Sequence, residues 1–426
     1  EGEDWEDPLQ EASNLEENLY SFDSKPTGMD LLSELSPNLD ASKREELLSL
    51  ISQYPSVFND KPGRTTVIQH EVHVGDATPI HQRPYRVPYS RRSAVKAELD
   101  KMLAENIIRP STSPWASPIV LVPKKDGEVR FCVDYRKVNQ VAKFDAYPMP
   151  RVEEVFEGMG TASVVSTLDL AKGYWQIPLT PESREKTAFT TPFGLFEFEV
   201  MPFGLHNAAA TFQRTMNHVL RGCQGFAQAY IDDIVVFSHN WQEHLRHLQE
   251  VFDQLRQAGL TVKLKKCRFG QDHTRYLGHV IGGGKVQPDP EKVRSVQNYP
   301  EPKTKKDVRS FLGLAGYYRR FIPGFATVAA PLTQLTKKGQ PSLVNVDQPC
   351  QKAFTHLKGV LMTQPVLQVA DPGKPFLLQT DASDYGLGAV LSQEDAKGEE
   401  HPVAFASRKL FPREMNYSVI EKECLA

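Results

Sequence analysis

The feature that most constrains the fold is the tetrapeptide Tyr230-Ile231-Asp232-Asp233, inside the run FAQAYIDDIVVF. Apolar and aromatic residues on both sides of the two aspartates favour β-strand. Because turns tolerate aspartate and buried strands do not, the pattern predicts a hairpin with both carboxylates at its tip. Two adjacent acids repel each other unless a cation lies beside them, and such oxygen ligands suit Mg²⁺ or Mn²⁺ rather than zinc. In isolation, the pair would instead indicate a surface turn.

A third acid ends another predicted strand. Residues 161–170 (TASVVSTLDL) indicate a buried strand that ends at Asp169. Nucleotidyl transfer by two metal ions, roughly 3.5–4 Å apart, requires carboxylates from different strands. Asp169 together with Asp232 and Asp233 provides that set. On pattern alone, a cap on the helix start that follows Asp169 explains it equally well.

Composition narrows the class of protein. The 426 residues are 40% hydrophobic and 24% charged, which predicts a soluble globular protein of two or three domains. We find no apolar run near the ~18 residues of a membrane span, and the acidic start is unlike a signal peptide. The five cysteines follow neither a CxxC metal spacing nor a disulfide framework. We therefore expect an intracellular protein with no membrane partner.

The charge is unevenly distributed. Residues 1–40 contain twelve acids and one lysine, a net charge of −11, whereas the remainder carries +8, which together give the overall −3. A basic body is compatible with a polyanionic partner.

The second half of the chain has helix signals. Asp289-Pro290 predicts an N-cap followed by proline at the first helical position, and Thr304 with Asp307 predicts a capping box. Pro375 to Thr380 then predicts a strand immediately before Asp381.

Seven motifs occur in a fixed order: KKDGEVRFCVDYRKVN (124–139), STLDLAKGYWQI (166–177), FGLHNAAATFQR (203–214), YIDD (230–233), LKKC (264–267), YLGHVI (276–281) and TDASDYGLGAVLSQ (380–393). With these motifs, residues 66–426 resemble the reverse transcriptases of gypsy-type LTR retrotransposons, relatives of the retroviral enzymes.

The resemblance implies an α+β right-hand polymerase (fingers, palm and thumb), followed by a connection and the first part of an α/β ribonuclease H-like domain. The boundaries that we predict are 1–65 for an acidic N-terminal extension, 66–287 for fingers and palm, 288–340 for the thumb, 341–372 for the connection and 373–426 for the truncated ribonuclease H-like domain.

The resemblance also implies roles for single residues. Asp169, Asp232 and Asp233 match the catalytic, metal-binding aspartates of the palm. Tyr174 matches the steric gate, whose ring excludes a ribose 2′-hydroxyl and so selects dNTPs; the alternative is ordinary aromatic core.

Four further residues match positions that contact the nucleotide. Lys124 and Arg130 match cations that hold the triphosphate, although Lys124 alone would indicate a solvated turn lysine. Asn207 matches a polar contact to the incoming nucleotide. Lys266 is the candidate for protonating pyrophosphate, with Lys265 as a near-equal alternative.

In the other regions, the resemblance implies that thumb cations follow backbone phosphates. These cations are Lys305, Lys306, Arg309, Arg319 and Arg320. In the ribonuclease H-like part, Asp381 and Glu423 match metal ligands, and Glu421 is the alternative to Glu423 on the same helix. The family has two further carboxylates downstream of this helix, past the last residue of this sequence, Ala426. We therefore expect the nuclease site of this chain to be incomplete.

The function that we predict is RNA-directed DNA polymerisation with two Mg²⁺ or Mn²⁺ ions at the polymerase site. Its partners would be an RNA template, a DNA primer or RNA–DNA hybrid, and dNTPs. We expect the protein inside the cell, in the cytoplasm or a retroelement particle, with the nucleus as a further location. Ribonuclease H activity is expected of the full-length parent. The alternative is a catalytically silent nucleic-acid-binding relic in a host genome.

Overall fold

The computed structural model of the chain describes residues 39–123, 129–160, 162–363 and 365–426. These residues form two compact units. The first unit draws on the described residues up to Pro150, together with Leu168–Ile234 and Leu245–Phe269, and the second on the described residues of 151–167, 235–244 and 270–426. Across the described ranges, no helix is long and apolar enough to cross a membrane.

The strands, in chain order, are β1 (Ile108–Pro110), β2 (Ser117–Pro123), β3 (Val129–Val133), β4 (Val164–Asp169), β5 (Phe189–Thr191), β6 (Gly194–Phe198), β7 (Ala227–Tyr230), β8 (Asp233–Ser238), β9 (Arg268–Gln271), β10 (His273–Tyr276), β11 (His279–Gly282), β12 (Lys285–Pro288), β13 (Leu367–Gln368), β14 (Leu377–Ala382), β15 (Gly386–Glu394) and β16 (Glu400–Lys409).

The α-helices span Ala41–Ser52, Arg92–Ala104, Arg136–Val141, Val152–Met159, Pro181–Arg184, Ala208–Val219, Trp241–Gln257, Pro290–Gln297, Lys305–Tyr317, Phe325–Val328, Ala330–Leu335, Gln348–Met362 and Val419–Leu425.

In the first unit, a five-stranded mixed sheet has the order β1-β6-β5-β2-β3. Strand β2 pairs in parallel with β5 and antiparallel with β3. Apolar side chains of this sheet pack against the Arg92–Ala104 helix, whose buried residues are Val95, Leu99 and Met102. Their burial from water stabilises this unit.

A four-stranded sheet has the order β7-β8-β4-β9. Strands β7 and β8 are joined by Ile231 and Asp232, so the predicted hairpin is confirmed. Strand β4 ends at Asp169, also as predicted. Strand β4 lies next to β8, and the N–H of Leu170 donates to the carbonyl of Asp232. Asp169 at the end of β4 and Asp233 at the start of β8 therefore lie at the same end of the sheet.

The second unit has its own core, around an antiparallel sheet of order β10-β11-β12-β13 and several helices. The predicted caps are confirmed. The carboxylate of Asp289 accepts a hydrogen bond from the Glu291 N–H, and Thr304 and Asp307 form a reciprocal capping box. These bonds satisfy backbone N–H groups that a helix start leaves without intrahelical partners.

Candidate active site

The two aspartates of the hairpin follow a strained residue. Ile231 has a φ of 56°, in the left-handed region that β-branched residues rarely adopt. Asp232 completes the turn and Asp233 is the first residue of β8. The left-handed residue therefore sets the direction in which the chain presents both carboxylates.

Asp169 is tied to the hairpin through the backbone. The N–H of Leu170 donates to the carbonyl of Asp232 at 3.3 Å, and the carbonyl of Asp169 accepts from the N–H of Lys263 at 2.8 Å. These bonds place Asp169 between the hairpin and the segment that leads to Lys266.

The three carboxyl groups share one electrostatic environment. Burial raises the pKa of Asp169 to about 6, against the attraction of the Lys266 ammonium and with a contribution from the charge of Asp232. Burial, followed by the charges of Asp232 and Asp169, raises the pKa of Asp233 to about 7. Burial also raises the pKa of Asp232. The charge of Asp232 therefore makes ionisation of both Asp169 and Asp233 harder.

Lys266 supplies the nearby positive charge. Its Nζ lies 3.3 Å from Oδ2 of Asp169, and the two side chains are 25% and 21% exposed. The adjacent Lys265 is exposed. Geometry thus favours Lys266 over Lys265 as the lysine that acts in this site, and its role as a proton donor stays a prediction.

The ligand oxygens of the three aspartates are not all within 4.8 Å of one another. Within the described ranges, a group of three metal-ligating residues that meets this distance occurs at Asp395, Glu399 and His401. The aspartates are nevertheless coupled electrostatically, because the charge of Asp232 raises the pKa of Asp169 and of Asp233.

Tyr174, five residues after Asp169, belongs to the short 3₁₀ helix Gly173–Gln176. Its half-buried ring lies 4.9 Å from the ring of Phe203 and 5.6 Å from that of Phe212. These contacts fix the ring of Tyr174 in place. A fixed ring is expected both of an aromatic core residue and of a steric gate, so the contacts do not distinguish the two roles. Its role as the gate stays a prediction.

Asn207 precedes the Ala208–Val219 helix, and its amide binds another chain segment. Its Oδ1 accepts from the N–H of Asp145 at 3.0 Å, and its Nδ2 donates to the carbonyl of Lys143 at 2.7 Å. The side chain therefore holds the 143–145 segment, and the predicted contact with a nucleotide stays a prediction. Lys124 lies outside the described residues, and Arg130 is described only as a backbone member of β3.

Two residues at this site were not predicted from the sequence. Gly173 closely approaches the hairpin: a Cβ at this position would lie 3.1 Å from Cβ of Asp232 and 3.1 Å from Cζ of Phe212. Gln213 is fully buried and its amide bonds to the backbone of the hairpin. The glycine follows Asp169 closely in the sequence, which was a usable signal, whereas a glutamine within a helix gave none.

The predicted nuclease residues lie in the second unit. Asp381 is in β14 and Glu423 is in the Val419–Leu425 helix, and both are exposed. Glu421 has a structural role, because its carboxylate accepts from the N–H of Ser418 at 2.7 Å in a capping box. Of the two candidate metal ligands, Glu421 takes part in the helix cap and Glu423 does not.

Three of the five thumb cations donate to carbonyl groups of their own unit. Lys305 donates to the carbonyl of Lys337 at 2.9 Å and Arg309 to that of Thr336 at 3.3 Å. Arg320 donates to the carbonyl of Val403 at 3.3 Å, and burial lowers its pKa. Contacts of the thumb cations with phosphates stay a prediction.

Comparison with known proteins identifies the domains. Residues 122–281 match the family model described as reverse transcriptase (RNA-dependent DNA polymerase), and residues 346–426 match the RNase H-like domain found in reverse transcriptase. The Pol polyprotein from transposon 297 of Drosophila melanogaster is 38% identical over 97% of the chain. The Pol polyprotein from transposon gypsy of the same species is 38% identical over 87% of it. The chain spans 39% and 37% of the lengths of these relatives.

The fold is similar to that of solved reverse transcriptases. A foamy viral protease-reverse transcriptase in complex with RNA/DNA hybrid has a TM-score of 0.83 at 24% identity, over 98% of this chain and 57% of that one. A second structure of that enzyme, in complex with dsDNA, has a TM-score of 0.82 at 25% identity, over 95% and 85% of the two chains. The predicted α+β class is confirmed. The chain therefore carries a reverse transcriptase domain and an RNase H-like domain, and is similar to the Pol polyproteins of gypsy-type retrotransposons.

Proposed function

We propose that the chain is an RNA-directed DNA polymerase that extends a DNA primer on an RNA template with dNTPs. The observation that carries the proposal is the set of three coupled, largely buried aspartates beside Lys266, inside a reverse transcriptase domain. Strongly perturbed carboxyl groups of this kind mark functional sites more often than structural ones.

The donor set fits divalent cations. All three candidate ligands are carboxylates, which suit Mg²⁺ or Mn²⁺. The raised pKa values of Asp169 and Asp233 mean that ionisation of the whole set is unfavourable without a compensating positive charge. Lys266 provides one such charge, and we propose that two cations, held by Asp169 and Asp232 with Asp233 nearby, provide the rest.

When bound, the cations would lower the pKa of the primer 3′-hydroxyl and neutralise the departing pyrophosphate. The chain itself contributes position and protons. Asp169 and the hairpin are fixed by their shared backbone bonds. Lys266, held 3.3 Å from Asp169, would donate a proton to the leaving pyrophosphate.

The remaining predicted residues would bind and select the nucleotide. The ring of Tyr174, packed on Phe203 and Phe212, would exclude a 2′-hydroxyl. Lys124 and Arg130 would balance triphosphate charge. Asn207, which precedes its helix, would contact the nucleotide directly and would also hold the 143–145 segment in place.

In the RNase H-like region, we propose that Asp381 and Glu423 serve hybrid cleavage in a longer polyprotein. The matched family model supports this proposal.

The test is extension of a DNA primer on an RNA template with dNTPs and Mg²⁺, for the parent and for Asp232→Asn. We expect extension by the parent and a loss of at least roughly a hundredfold in the variant, since removing one group that stabilises transition-state charge costs about 10²–10³. Asp60→Asn, at an exposed aspartate of the same unit, is the matched control and should retain parent activity.

Two results would contradict the proposal. Equal extension by the parent and by Asp232→Asn would show that the carboxylate of Asp232 is not required for catalysis. No extension by the parent, despite binding of an RNA–DNA hybrid, would favour the silent nucleic-acid-binding relic.

A further inference from the structure

Gln213 makes hydrogen bonds on both sides of Tyr230. Its side chain is 0% exposed, within the Ala208–Val219 helix. Nε2 donates to the carbonyl of Ala229 at 2.9 Å, and Oε1 accepts from the N–H of Ile231 at 2.8 Å. Nε2 also donates to Oδ1 of Asn217 at 2.9 Å, four residues further along the helix. Both amide donors and one acceptor position are therefore used.

The residue that Gln213 binds is the strained one. Ile231 is the β-branched member of the described non-glycine residues with positive φ, the others being Asn106, Lys172 and Leu277. A left-handed residue of this kind is strained and persists where the surrounding structure over-determines it. The hydrogen bond from the Ile231 N–H to Gln213 contributes to that determination.

We propose that Gln213 is a positioning residue, which holds Ile231 in its left-handed conformation and thereby aims the carboxylates of Asp232 and Asp233. The inference rests on the proposed polymerase function and names a residue on which the proposed cation site depends. The amide suits this role because it presents a donor and an acceptor side by side, which match one carbonyl and one N–H of the hairpin.

A purely structural role would satisfy two buried backbone groups without affecting the aspartates. The two roles differ in what Gln213→Met changes. Methionine has a similar length and shape but neither hydrogen bond, so it leaves the buried Ala229 carbonyl and Ile231 N–H without their partner. A structural role predicts lower stability alone, whereas a positioning role also predicts weaker cation binding and a lower kcat.

The experiment compares the parent, Gln213→Met, Asn217→Ala and Asp232→Asn. The readouts are Mn²⁺ binding, from the electron paramagnetic resonance signal of unbound Mn²⁺, then kcat and KM for dNTP in primer extension, the Kd for the RNA–DNA hybrid, and Tm. For Gln213→Met we expect Mn²⁺ affinity and kcat to fall about 10–100-fold, the usual effect of removing a group that orients metal ligands. The hybrid Kd should change less than about threefold. Asn217→Ala keeps both hairpin bonds and should match the parent.

A second variant acts on the strain itself. Glycine adopts positive φ without a steric cost, so Ile231→Gly in the Gln213→Met background should recover at least about tenfold of the lost Mn²⁺ affinity. If Gln213→Met alone fails to fold by circular dichroism, the double variant replaces it, because relief of the strain should restore folding and Mn²⁺ binding together.

Parent-like Mn²⁺ affinity and kcat in folded Gln213→Met would overturn the proposal, as would a double variant with no recovery. Failure of the parent to extend a primer would instead overturn the proposed polymerase function. The Mn²⁺ comparison would still test the role of Gln213, so the two failures are distinguishable.

Discussion

The polymerase site and the RNase H-like segment both carry candidate catalytic acids on strands, but in opposite environments. Asp169 and Asp233 are largely removed from water, and this burial, together with the charge of Asp232, raises the pKa of each. Asp381 lies on β14, where each residue from Leu377 to Asp381 is exposed, and Glu423 is exposed on its helix. Apolar neighbours share that exposure: Leu378 and Ile420 are 62% and 76% exposed.

The difference shows how burial determines whether neighbouring acids of one chain interact electrostatically. A carboxylate in water interacts weakly with other charges because the dielectric constant around it is high. Burial weakens that screening, so the aspartates of the first unit act as one electrostatic group. Three substitutions test this comparison.

The largest effect is expected for Gly173→Ala. The added methyl group would lie 3.1 Å from Cβ of Asp232 and from the ring of Phe212, closer than normal packing allows. Forcing an extra carbon into a packed site costs about 1–3 kcal/mol, and displacement of Asp232 should lower primer extension about tenfold. The measurements are Tm and kcat.

Gly388→Ala is the matched control, because it lies opposite Asp381 in the β14–β15 pairing. A Cβ there has its nearest neighbour, the Asp381 carbonyl, at an ordinary 3.9 Å. Extension should remain at the parent value. An equal loss of extension in both variants would show that close approach to Asp232 is not the cause.

The next effect concerns pH and stability. The folded-state pKa values of Asp169 and Asp233, about 6 and about 7, exceed the value of about 3.9 expected for an unfolded chain. At these two groups the folded chain binds more protons than the unfolded chain between these values, so their contribution to the free energy of unfolding should decrease as pH rises from about 4 to about 7.5. Burial lowers the pKa of His70 and His279 to about 4, which gives a contribution of opposite sign. The contribution of Asp233 is therefore measured as the difference between the parent and Asp233→Asn in thermal unfolding in EDTA.

Asp233→Asn should reduce that dependence and stabilise the chain at pH 8 by about 2 kcal/mol, an order of magnitude set by the raised pKa of Asp233. Asp381→Asn, at an exposed carboxylate, should leave the pH profile unchanged. The same change of Tm between pH 5 and 8 in the parent and in Asp233→Asn would contradict the buried-charge account.

The smallest effect is expected for Ser418→Ala at the Val419–Leu425 helix. Loss of the N-cap hydroxyl, which accepts from the Glu421 N–H, should cost about 1 kcal/mol of local stability. Hydrogen exchange of the helix amides measures it, and primer extension should not change. Glu423→Gln should leave exchange as in the parent, and faster exchange in that variant would assign Glu423 a structural role.

Much of the candidate site was predictable because its signals are local. Acids that interrupt apolar strand patterns predicted the strand ends at Asp169, Asp232 and Asp233, and the ordered motifs gave these acids their predicted catalytic role. The caps at Asp289 and Thr304 predicted helix starts. Choices between neighbours were not predictable, because adjacent residues carry the same chemistry. Only the fold favours Lys266 through its contact with Asp169.

The sequence by itself determined the order of motifs, the strands and helices, and the acids that interrupt them, since these follow from residue type and short-range periodicity. Tertiary structure decided the raised pKa values of the aspartates, the approach of Gly173 to Asp232, and the hold of Gln213 on the hairpin. These properties depend on desolvation and on hydrogen bonds between residues that are distant along the chain. Neither can be read from the neighbours of a residue in the sequence.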